Sequence, residues 1–84
     1  MKIQIYNLSR DTNDTDLLKL FTQYGIVNSA EVMRDKLNGR SRCNGVIEMP
    51  IEIEANRAIL SLDQSLMHGK KIRVSELRLP PHWE

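Results

Sequence analysis

The sequence predicts an α+β sandwich of element order βαββαβ, with two helices packed on one face of a four-stranded antiparallel sheet. Three observations carry that prediction. Four short segments alternate apolar and polar residues as half-buried strands do. Two longer segments repeat apolar residues with the period of a helix, and turn residues separate them in that order. The 84 residues are expected to form one small domain.

Ile3 and Ile5 alternate with Gln4 and Tyr6, which predicts a first strand over residues 2–7. Leu17, Leu20, Phe21 and Tyr24 form an i, i+3, i+4, i+7 stripe, so a helix is expected over 14–24, with Asn13 as N-cap and Gly25 at its end. Ala30 and Val32 alternate with Glu31 and Met33 over 28–34, Asn38-Gly39 tolerates positive φ, and extended structure resumes over 44–49 as the second arm of a hairpin. Ala55, Ala58, Ile59 and Leu62 repeat the helical spacing over 52–63, where Glu52 and Glu54 suit the positive end of the helix dipole. Ile51 and Ile53 at its start read as a hydrophobic staple. Gly69 then turns the chain into a last strand over 71–75, with Ile72 and Val74 inward. Phe21 and Ile59 are expected on the buried helix side. Past Glu76 the pattern fades, and Pro80-Pro81 favours an extended tail over 77–84.

Helices on one face leave the other face open. By alternation it carries Gln4, Tyr6, Glu31, Met33, Asn44, Val46, Glu48, Arg73 and Ser75. Composition narrows what that face can do. The chain is 40% hydrophobic and 27% charged, so it should fold, and no apolar run approaches the roughly 20 residues that cross a bilayer. Because the first residues also lack the apolar core of a secretory signal, a cytoplasmic setting is expected. A lone cysteine, Cys43, makes no internal disulfide. His68 falls in a turn and His82 in the tail, so neither joins Cys43 in a nucleophile–base pair or a metal-ligand spacing. Neither catalysis nor a cofactor is expected. The net charge of +1 does not by itself announce nucleic acid.

Over residues 2–76 the chain resembles the RNA recognition motif family, whose fold is the ferredoxin-like βαββαβ sandwich. The family's short motif resembles Ile3-Gln4-Ile5-Tyr6-Asn7-Leu8, and its long motif resembles Arg42-Cys43-Asn44-Gly45-Val46-Ile47-Glu48-Met49. Gly39-Arg40-Ser41-Arg42 and Gly69-Lys70-Lys71-Ile72-Arg73-Val74 also fall where the family places them. The resemblance implies a domain over 1–76 that binds single-stranded RNA, or the related single-stranded DNA, by stacking bases on sheet aromatics. The ring positions are occupied here by Gln4, Asn44 and Val46. Each lost platform removes roughly 1–3 kcal/mol per base, so weak, salt-dependent binding is expected.

Tyr6 is either a remaining platform or a residue that suits a half-buried sheet. Arg34, Lys36, Arg40 and Arg42 around the hairpin turn, with Lys70, Lys71, Arg73 and Arg78 near the last strand, are either a phosphate-binding rim or a solvated, salt-bridged surface. Gln4, Asn44 and Glu48 offer polar contacts to base edges. Met33 and Val46 beside Tyr6 could form an apolar patch for a protein partner or self-association. A protein-binding branch of the family carries an Arg-x-Phe element where this chain reads Met67-His68-Gly69-Lys70, which disfavours that branch. Trp83 in the tail lies within reach of the sheet and would there replace a missing platform.

Overall fold

Leu17 and Phe21 from one helix, Ala55, Ala58 and Leu62 from the other, and Ile3, Ile5, Val32, Ile47, Ile72 and Val74 from the strand regions are buried together in one core. The computed structural model describes residues 1–78. Its elements are β1 (Lys2–Tyr6), α1 (Asp14–Thr22), β2 (Ser29–Arg34), β3 (Ser41–Glu48), α2 (Glu52–Leu62), β4 (Leu66–Met67), β5 (Lys70–Lys71) and β6 (Arg73–Glu76). The main sheet has the order β2-β3-β1-β6, with every neighbouring pair antiparallel, so β1 and β3 are central.

The predicted architecture holds, with corrections at the edges. Asn13 caps α1 through a reciprocal pair: Asp16 N donates to Asn13 Oδ1 at 2.9 Å, and Asn13 N donates to Asp16 Oδ2 at 3.0 Å. The helix stops at Thr22 rather than Tyr24, because Tyr24 packs on the core from the turn that follows. Residues 66–71 form a separate two-stranded hairpin, β4 and β5, which places Lys71 outside the last strand. Ile51 is not a staple. It occupies the N-cap of α2 without a side-chain hydrogen bond, and Ile51 and Ile53 are both exposed. Phe21 is fully buried, whereas Ile59 is only half-buried at the margin of the core. Trp83 and the Pro80-Pro81 tail lie outside the described residues.

Two positions in β3 explain the small residues of the long motif. A Cβ at Gly45 would lie 2.8 Å from Leu17 Cδ1 and 2.9 Å from the Glu31 carbonyl oxygen, so glycine there lets α1 close on the sheet. Cys43 has φ 62°, in the left-handed region, and its carbonyl accepts from Leu8 N at 2.9 Å. Between the pairs Val32–Gly45 and Arg34–Ser41, Met33 faces Arg42, Cys43 and Asn44, a bulge that increases the local twist where β3 enters the sheet.

Candidate nucleic-acid interface

The cross-strand register arranges the open face in rows. Tyr6 of β1 stands between Asn44 of β3 and Arg73 of β6. Gln4 stands between Val46 and Ser75, and Val46 in turn faces Glu31 of β2. A third row joins Ser29, Glu48 and Lys2, the last of which sequence reasoning passed over although the period of the strand puts it on this face. Every residue expected on the open face is at least partly solvent-accessible there.

Tyr6 is 46% exposed, and its hydroxyl donates to Gln4 Oε1 at 2.8 Å, while Gln4 Nε2 donates to Ser75 Oγ at 3.1 Å. A hydroxyl that meets the side chain two residues back on its own strand makes the ring lean along the strand, over the sheet. Its exposed face is thus presented to solvent by a hydrogen-bonded chain of three residues. Gln4 spends both ends of its amide on this chain. On the far side of Tyr6, Asn44 Oδ1 is buried without a hydrogen-bond partner among the described residues. Such an acceptor costs about 1–3 kcal/mol to leave unmade.

The hollow beside the ring, about 380 Å³, is lined by Tyr6, Asp63, Arg73, Val74 and Ser75. Arg73 Nε lies 3.7 Å from Asp63 Oδ1, but its side chain is 70% exposed, so this loose pair leaves the guanidinium accessible. Arg34, Lys36, Arg40, Arg42 and Lys71 are exposed as well. The loop between β2 and β3 is ordered by its own polar groups. Asp35 N donates to the Arg40 carbonyl and Gly39 N to the Asp35 carbonyl, both at 2.8 Å, while Leu37 N donates to Asp35 Oδ1 at 2.8 Å and Arg40 N to Asn38 Oδ1 at 2.9 Å. Asn7 Nδ2 donates to the Lys71 carbonyl at 2.7 Å, and Thr12 Oγ1 shares a 2.9 Å hydrogen bond with His68 Nδ1, so the β4–β5 hairpin is anchored beside the Tyr6 end of the sheet.

The family model for the RNA recognition motif matches residues 3–73. The chain belongs to the RNA recognition motif family. A crystal structure of RNA-binding protein PG1 is similar over 98% of this chain and 99% of that one, with a TM-score of 0.91 and 40% identity. A Sxl-lethal protein–RNA complex is similar over 96% of this chain and 48% of that one, with a TM-score of 0.89 and 27% identity. Glycine-rich RNA-binding protein 4 of Arabidopsis thaliana, a mitochondrial protein, is 38% identical over 88% of this chain and 54% of its own length. The chain spans between about a third and a half of the length of the curated relatives of this kind. Among the described residues of this RNA recognition motif, no helix is long and apolar enough to cross a membrane.

Proposed function

We propose that the chain binds single-stranded RNA on its open sheet, as a binding domain over residues 1–76 with 77–84 as a tail, and that it carries out no catalysis and needs no cofactor. The observation that carries this reading is the Tyr6 ring, tethered to Gln4 over a central strand beside the exposed Arg73 guanidinium. A ring for a base and a cation for the adjoining phosphate are the two contacts a single strand requires. The remaining phosphates meet Arg34, Lys36, Arg40, Arg42 and Lys71. With Gln4, Asn44 and Val46 in place of rings, binding is weak, and single-stranded DNA is a related ligand for the same face. The lone cysteine favours a reducing compartment such as the cytoplasm, although relatives include mitochondrial and chloroplast proteins.

Titration of the amide spectrum with short RNA oligomers tests this reading. Shifts concentrated on Gln4, Tyr6, Asn44, Val46 and Arg73 are expected. Unmoved sheet amides would overturn it and leave the protein-interaction role, for which Met33 and Val46 provide the apolar surface.

A further inference from the structure

The open sheet is chemically divided along its strands. Its Tyr6 end carries a ring and Arg73, with the Arg42 and Arg40 segment beside it, whereas the rows beyond carry two carboxylates, Glu31 and Glu48, against one ammonium, Lys2. The net charge of the second half is negative and disfavours phosphates, so a strand bound at the Tyr6 end extends there most favourably with a base edge leading. Val46 supplies a half-exposed apolar floor in that half, flanked in register by Gln4 on β1 and Glu31 on β2, at one side of a hollow of about 460 Å³. Directly opposed side chains on neighbouring strands sit about 5 Å apart, so Glu31 and Gln4 bracket one base-sized position over Val46.

The hydrogen-bonding capacity around that position is unequal. Gln4 is committed to Tyr6 and Ser75. Glu48 lies in the next row, opposite Lys2 and Ser29 in register, and not across from Val46. Glu31 is opposed by Val46, is exposed, and makes no ion pair or side-chain hydrogen bond among the described residues. A carboxylate only accepts, and its two oxygens fit two parallel N–H donors. Guanine presents such a pair, N1–H and the 2-amino group. Adenine and cytosine place one amino group beside an acceptor nitrogen, and uracil holds one N–H between two carbonyl oxygens that a carboxylate repels.

We propose that Glu31 makes this sheet selective for guanine over Val46. The inference rests on the RNA-binding reading and is tested separately from it. Fluorescence anisotropy with the full chain compares a short uridine oligomer, the same oligomer with one central guanosine, and the same with inosine, which lacks the 2-amino group. The guanosine oligomer should bind about tenfold tighter than the uridine one, with inosine in between. Glu31→Gln is isosteric and exposed, and unchanged amide shifts elsewhere confirm that it is folded. It should remove the guanosine preference while leaving uridine affinity equal or slightly improved. If Glu31→Gln tightens all three oligomers alike and any guanosine preference persists, Glu31 is only a repelling charge and the proposal fails. Binding without preference in the native chain overturns this inference alone, whereas no binding to any oligomer overturns the RNA-binding reading as well.

Discussion

At Tyr6 the ring and the hydroxyl do separate work, since the ring offers the stacking face and the hydroxyl, bonded to Gln4, fixes its lean. Tyr6→Ala should cost roughly 1–3 kcal/mol of RNA affinity. Tyr6→Phe should cost only about 0.5 kcal/mol and Gln4→Ala, which also breaks the bond to Ser75, the same or slightly more, and the double variant no more than Gln4→Ala, because the bond from the Tyr6 hydroxyl is already lost there. Additive losses in anisotropy titrations would show that Gln4 meets RNA directly. Next to the ring, Asn44 buries an acceptor that no described residue satisfies. Asn44→Phe deletes it and adds a platform facing solvent, so both the thermal midpoint and RNA affinity should rise, the latter by about 1–3 kcal/mol. A drop in the midpoint would mean that Asn44 is satisfied in solution. Cys43 pays for its place in the bulge with a left-handed backbone. Cys43→Gly relieves that conformation and should stabilise the fold by about 1 kcal/mol in urea denaturation, a gain that would vanish if the bulge relaxes without it.

Each edge of the sheet has one backbone donor covered by an aspartate from a helix end. Val32 N in β2 donates to Asp14 Oδ1 at 2.7 Å, and Val74 N in β6 donates to Asp63 Oδ1 at 2.9 Å. Asp14 opens α1 and Asp63 is the C-cap of α2, so the same contacts that seat the helices blunt both edges against pairing with another chain. Asp14→Ala or Asp63→Ala should therefore destabilise by about 1–3 kcal/mol and raise concentration-dependent association in sedimentation, while Asp14→Asn, which keeps an acceptor, should do much less of either. The main elements were legible in the sequence because each buries one face, and burial writes period 2 or 3.6 into the residues. The β4–β5 hairpin was not, since Leu66-Met67 and Lys70-Lys71 are too short to show a period. The pair is closed at its base by Ile72 N donating to the Ser65 carbonyl at 2.9 Å and positioned by the long-range Thr12–His68 and Asn7–Lys71 bonds. The open face was legible by the same alternation. That Gln4 is committed to Tyr6 and Ser75 was not, because it depends on the register of β6 against β1, which local pattern does not encode.

Across the whole molecule, 12 basic and 11 acidic residues nearly cancel, yet their placement does not. Arg34, Lys36, Arg40 and Arg42 fall within residues 34–42 around the β2–β3 turn, a segment whose one acidic residue is Asp35, and Arg73 and Lys71 lie on the β6 side of the Tyr6 row. Acidic side chains occupy the first turns of both helices, Asp14 and Asp16 in α1 and Glu52 and Glu54 in α2. A near-neutral domain polarised in this way should show little non-specific attraction at a distance but a distinct salt dependence once a strand is seated. On single strands each neutralised phosphate contributes about −0.7 to the slope of log affinity against log salt. Arg42→Ala and Arg73→Ala should each weaken every oligomer similarly and flatten that slope by about 0.7. Tyr6→Ala should reduce affinity with the slope nearly unchanged, because stacking releases no counterions. These separate signatures distinguish a ring that holds a base from a rim that holds phosphates. An interaction insensitive to salt and to all three substitutions would instead place the binding surface on the apolar residues Met33 and Val46, with a polypeptide as the ligand.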